Sequence, residues 1–175
     1  DCILVIGVDP ALTHPIIKNE IHLAIRRNRA QLIVLGSYDI GLTQATHISP
    51  LLPSSILLLD RPGREVHLLN AMIETILKEG LEDKSFIEDK TEGIESLREK
   101  QVEVEVEVEK AARAFAKAKR AMILIGSGLW SHLDQKGIAI ASSNLALITG
   151  HIGKKSSGIL ILLEKCNSQG AIDLG

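Results

Sequence analysis

Short, uninterrupted apolar runs rich in Ile, Leu and Val recur at residues 2–6, 31–35, 56–59, 121–125 and 159–163. None alternates with polar positions, so each predicts a strand buried on both faces. Between the runs the period changes to that of a helix. Across residues 65–79, Val66, Leu69, Met72, Ile73, Ile76 and Leu77 fall three and four apart, and Gly80 supplies a C-terminal stop. A second helix is predicted to begin at Thr13-His14-Pro15, where proline's missing N–H costs nothing in the first turn, and to end on the basic cluster Arg26-Arg27-Asn28-Arg29. Helical pattern returns at residues 109–119, with Ala112, Phe115 and Ala116 on one stripe. It recurs at 137–149, where small and apolar residues lie all round and predict a buried helix.

Strands alternating with helices imply right-handed crossovers. The expected fold is therefore α/β, a doubly wound, mostly parallel sheet with helices on both faces and residues 1–175 as a single domain. Residues 102–109 alternate Val with Glu, which on a strand separates the two types onto opposite faces and on a helix splits the valines over two sides. The period favours an edge strand or extended connector leading into the following helix, with the four glutamates as solvated charges.

Composition narrows the classes of function. A net charge of -2 and only four aromatic residues exclude a basic phosphate-tracking face and a base-stacking platform, so nucleic acid is not an expected partner. Cys2 and Cys166 are too few for a disulfide framework or an iron–sulfur cluster and read as small buried thiols. The six histidines show no metal-ligand spacing, so no metal site is expected. The most apolar charge-free stretch, 138–150, is interrupted by Ser142-Ser143-Asn144 and is too short to span a bilayer, so no direct membrane insertion is expected. The chain opens directly on an apolar strand without a charged leader, and is read as a fragment of a larger multidomain polypeptide.

In such a sheet, ligands bind beyond the carboxyl ends of the strands. Two loops stand there. Gly7-Val8-Asp9-Pro10-Ala11-Leu12-Thr13-His14 follows the first strand, and Gly126-Ser127-Gly128-Leu129-Trp130-Ser131-His132 follows the fourth. Neither is a complete Gly-x-Gly-x-x-Gly fingerprint; each reads as a tight turn or a phosphate cradle. His14 and His132 both follow strand-end glycines and could meet at one sheet edge.

Read in order, several segments resemble the molybdopterin oxidoreductase family. They are Asp1-Cys2-Ile3-Leu4-Val5-Ile6-Gly7 with Asp9-Pro10 and His14-Pro15, Leu68-Leu69-Asn70-Ala71-Met72, Thr91-Glu92-Gly93, Leu145-Ala146-Leu147-Ile148-Thr149-Gly150, and Asn167-Ser168-Gln169-Gly170-Ala171-Ile172-Asp173-Leu174-Gly175. The resemblance covers nearly the whole chain and implies the family's third domain, a doubly wound unit that helps hold a guanine dinucleotide arm of the molybdopterin cofactor. It implies that Gly7, Asp9, His14, Gly126 and Gly128 face that cofactor, and that Asn167, Gln169, Gly170 and Asp173 form the closing motif near the pterin.

Two departures qualify that implication. Where catalytic members carry Asp-Pro-Arg after the second strand, this chain has Gly36-Ser37-Tyr38, with Asp39 displaced beyond them. Where formate dehydrogenases carry an active-site arginine, it has Leu163. These replacements point first to the branch of the family found in NADH:quinone oxidoreductase, respiratory complex I, with the domain kept as architecture in an electron-transfer subunit and no cofactor of its own. The alternative is the guanine dinucleotide-binding domain of a formate dehydrogenase-like molybdoenzyme. On either reading the expected partners are the remaining domains of the parent chain and other subunits of a respiratory or formate-oxidising complex. The expected location is cytoplasmic, peripheral to the inner membrane through those subunits.

Overall fold

The computed structural model describes residues 1–43, 55–98, 104–126, 134–165 and 167–175, with the backbone alone at Gln169. Five strands form one sheet: β1 (Cys2–Ile6), β2 (Gln31–Gly36), β3 (Ile56–Leu59), β4 (Ala121–Gly126) and β5 (Gly158–Leu162). They lie in the order β3-β2-β1-β4-β5, and every pair is parallel. The five runs read from the sequence are therefore the five strands, displaced by no more than one residue.

The apolar runs are unbroken because alternate residues enter different cores. Cys2, Leu4 and Ile6 of β1, Ile33 and Leu35 of β2, and Ile123 of β4 point into one cluster. Val5, Leu32, Val34 and Leu124 point into the other. The first core is roofed by α3 (Glu65–Lys78), α6 (Val106–Lys117) and α7 (Gln135–Ile148), and the second by α2 (Pro15–Asn28). At the sheet's rims this double burial fails: Leu59 of β3 and Leu160 and Ile161 of β5 are exposed.

The clearest helix, α3, runs as its spacing predicts, with Gly80 just beyond it in the left-handed region at φ 65°. The helix predicted to begin at Thr13-His14-Pro15 is α2, which starts at Pro15, and a separate turn precedes it. A single turn, α1 (Pro10–Thr13), is capped by Asp9, and α2 starts afresh at Pro15 after His14 leaves helical geometry. Arg29 ends α2 in the left-handed region. Three further short helices follow no strong apolar period: α4 (Lys84–Lys90), α5 (Glu95–Arg98) and α8 (Ser168–Leu174). Helix α7 buries one side only, since Ile140 is half exposed.

The expected edge strand or connector at 102–109 is corrected by the structure. Residues 102 and 103 lie outside the described residues, Val104 and Glu105 precede the helix, and Val106 already begins α6. Val108, Ala111, Ala112 and Phe115 make a buried stripe at helical spacing while Val106 faces solvent. That stripe buries Val108 without exposing the backbone, and Glu107 and Glu109 in the first turn meet the positive end of the helix dipole. Cys2 is buried as expected; Cys166 and the proline-containing stretch at 48–53 lie outside the described residues. No helix among the described residues is long and apolar enough to cross a membrane.

Two features of the first core generate tests. Phe115 is fully buried at its centre, so Phe115→Ala should cost about 3–5 kcal/mol of stability, read as a lowered urea midpoint. His151 packs edge-on to Phe115 with ring centroids 5.3 Å apart, and its Nε2 lies 3.3 Å from the Phe115 carbonyl oxygen, which can only accept. Its Nδ1 is buried with no partner among the described residues. Burial holds this imidazole below the usual histidine value of 6.5. The unfolded chain then takes up a proton that the folded chain refuses, so this contribution is fully present above that pH and declines as pH falls below it. His151→Asn should flatten that part of the profile of urea midpoint against pH.

Candidate functional site

The chain builds β1, β2 and β3 outward in one direction, then returns across the sheet and builds β4 and β5 on the other side of β1. Adjacent exits at β1 and β4 therefore lead away in opposite directions, and a crevice opens between them at the carboxyl edge. The register puts Ile6 opposite Ile125, so the glycines that follow, Gly7 and Gly126, stand side by side. Gly7 turns out of the strand at φ 62°, a conformation open to glycine without strain. A Cβ on Gly126 would lie 2.1 Å from the Val8 Cβ and 2.9 Å from the Gly7 carbonyl oxygen. Gly7 and Gly126 thus form one seam between the two strand exits, and each glycine is required there for its own reason.

Asp9 and His14 hold this seam to its neighbours. The Asp9 carboxylate accepts the Ala11 amide at 2.9 Å and the Gly41 amide at 3.3 Å, tying the β1 exit to the β2 exit. His14 Nε2 lies 2.9 Å from the Leu163 carbonyl oxygen just past β5, and Nδ1 lies 2.8 Å from the Thr13 hydroxyl. Since a carbonyl only accepts, Nε2 carries the proton in the first of these bonds. Leu163 thus serves through its backbone.

The remaining expected site residues stand differently. Gly128 and His132 lie outside the described residues. Asn167 precedes α8 and Gly170 and Asp173 belong to it, all exposed, while Gln169 is described by its backbone only. This closing segment follows the β5 exit that His14 holds, and its apolar residues Ile172 and Leu174 also face outward. Among the described residues, no three His, Cys, Asp or Glu side chains converge as metal ligands.

Beside the seam, across the exits of β1, β2 and β3, lies a cavity of ≈ 270 Å³ lined by Gly7, Val8, Gly36, Tyr38, Pro62 and Glu65, among others. Its acidic wall was not singled out from the sequence. Glu65 opens α3, is only 5% exposed, and its Oε2 accepts the Gly63 amide at 2.8 Å. The signal available in the sequence was the turn Asp60-Arg61-Pro62-Gly63-Arg64-Glu65 at the end of the third apolar run. Once strand order places β3 beside β2, that turn belongs to the same edge as Gly36.

The Molybdopterin oxidoreductase family matches residues 1–175 of the chain. The F420-dependent formate dehydrogenase subunit alpha of Methanocaldococcus jannaschii is 35% identical over 187 aligned residues, covering 100% of this chain and 26% of that protein. Formate dehydrogenase H of Escherichia coli is 32% identical, covering 100% of this chain and 25% of its own length. Among solved structures, acetylene hydratase from Pelobacter acetylenicus has a TM-score of 0.74 at 25% identity, covering 89% of this chain and 22% of the other. The chain thus spans about a quarter of the length of the curated relatives it matches.

The seam yields a direct test. Gly126→Ala must push Val8 or Gly7 aside, and overpacking of this kind costs roughly 1–3 kcal/mol. Thermal unfolding should register that loss, whereas Gly36→Ala, whose added Cβ meets nothing within 4 Å, should leave the midpoint nearly unchanged.

Proposed function

Because the chain belongs to the molybdopterin oxidoreductase family, we propose that it is the α/β unit that positions the dinucleotide arm of a molybdopterin guanine dinucleotide in a formate dehydrogenase-like oxidoreductase. The observation that carries this reading is the Gly7–Gly126 seam at the point where strand order reverses, packed so closely on Val8 that Gly126 admits no side chain. The adjoining cavity and its buried carboxylate suit a polar nucleotide end. In this reading Gly7, Gly126 and Gly128 let the backbone approach the cofactor closely. Asp9 and His14 fix the loop that carries that backbone, and Asn167, Gln169, Gly170 and Asp173 close over the pterin side. The cofactor, when bound, supplies the metal-centred redox chemistry; this chain binds and orients it.

The formate dehydrogenase relatives favour this reading over the scaffold domain of a complex I-type protein, to which the uncharged Gly36-Ser37-Tyr38 and Leu163 pointed first. Those two departures are the observation on the scaffold's side. On either reading, the remaining domains of a longer polypeptide, and the other subunits of its oxidoreductase complex, are the partners.

The deciding assay uses the longer polypeptide containing this chain, produced anaerobically with molybdate. Oxidative release should give pterin fluorescence, and elemental analysis should find molybdenum or tungsten in stoichiometric amount. A folded parent with neither would return the domain to the role of scaffold.

A further inference from the structure

Helices cover the two faces of the sheet unequally. The crossovers that carry the chain outward in opposite directions are right-handed, so they lay their helices on opposite faces: α2, between β1 and β2, on one, and α7, between β4 and β5, on the other. Winding of this kind cannot roof β4 and β5 on the α2 side, and among the described residues only α2 adds helical side chains to the core there. Beside α2 the face lies open as a trough of ≈ 360 Å³. Ile3, Met122, Leu124 and Leu160 form its floor, and Ile17 and Ala24 its α2 wall. Register sets Ile3 beside Met122 and Leu124 beside Leu160, while Gly158, opposite Met122, adds no side chain to the floor. Leu160 is left 40% exposed on an all-parallel sheet, a class that is covered on both faces almost without exception. Glu20 stands on the rim, exposed and in no ion pair among the described residues.

We propose that an amphipathic helix, supplied by a part of the same polypeptide outside residues 1–175, lies in this trough alongside α2 and completes the smaller core. It turns an apolar stripe to Met122 and Leu160 and sets a Lys or Arg beside Glu20. The proposal rests on the reading of this chain as one unit of a longer polypeptide, and not on whether that polypeptide holds a cofactor. The floor presents side chains and no backbone partners, so the occupant must satisfy its own amides and carbonyls, which a helix does and an isolated extended strand does not. The small Ala24 keeps the α2 flank low, so a neighbouring helix can approach to the usual interaxial distance of roughly 8–10 Å. Three quarters of the length of the curated relatives lies outside the matched region. A helix tethered in the same chain docks without the loss of translational freedom that a separate protein or a second copy would bear.

The test uses the longer polypeptide containing this chain, with Leu160 replaced by the photoreactive p-benzoylphenylalanine. After irradiation, mass spectrometry should find position 160 cross-linked, within one polypeptide, to a peptide outside residues 1–175 whose apolar residues recur three and four apart. A cross-link to a second copy, to another subunit or only to residues 1–175 overturns the proposal, as does the absence of any cross-link.

A second variant guards against the bulk of the photoreactive group. In Leu160→Cys, followed on the peptide that carries residue 160, maleimide should react at least about tenfold more slowly with the native polypeptide than with the urea-unfolded one. A smaller difference means that the trough is open and overturns the proposal. Pterin content separates this outcome from the cofactor reading: a parent that contains pterin and leaves position 160 open loses the docked helix alone, and one without pterin that gives the expected cross-link keeps it.

Discussion

The residues between β1 and α2 constrain most of what lies at the carboxyl edge of the sheet. In eight positions, Gly7 to His14, the chain leaves the central strand and is fastened to three other strand exits. Asp9 holds the β2 exit through the Gly41 amide, Val8 packs against Gly126 at the end of β4, and His14 holds Leu163 just beyond β5. The fastenings are of different kinds: a charge-assisted hydrogen bond, a van der Waals contact too close for a methyl group, and an imidazole on a backbone carbonyl. Movement at any one exit is therefore felt at the centre of the sheet, and the cavity shares Gly7 and Val8 with this hub.

The sheet supplies the rigidity that makes such fastening useful. Each central strand buries alternate residues in two cores, so the strands cannot shift register by one residue without exchanging the two faces completely. Where β1 and β4 begin, the pair is clasped as well. The Cys2 amide donates to the Arg120 carbonyl at 3.2 Å, and the Arg120 amide returns a bond to the Asp1 carboxylate at 3.2 Å. The carboxyl edge and the opposite edge are thus both closed across the β1–β4 pair.

The strands were legible because burial on both faces leaves a mark that needs no partner to read: an unbroken apolar run. Helix α3 was legible for the same reason, its period being strong along its whole length. The segment at 102–109 misled because Val and Glu happen to alternate; only the position of Phe115 and Ala112 relative to the core decides that Val108 is the buried one. Of the site, Gly7 and Gly126 could be found as strand-end glycines, yet their contact depends on strand order. Glu65 escaped notice as the first residue of a well-predicted helix, because its closeness to Gly36 arises from the pairing of β2 with β3 and leaves no local trace.

The same order has a consequence in time. β1 pairs with β2 early in the sequence, but its other partner, β4, is 119 residues farther on, as the separation of Asp1 and Arg120 measures. At ribosomal rates of about 5–20 residues per second, one side of β1 waits roughly 6–24 s after its own synthesis before β4 exists to cover it. During that interval the central strand of the sheet presents an open row of amides and carbonyls, and the seam at Gly7 has only one lip. The crevice can therefore close only once β4 has been made, and its closure reports that the two halves of the sheet have met.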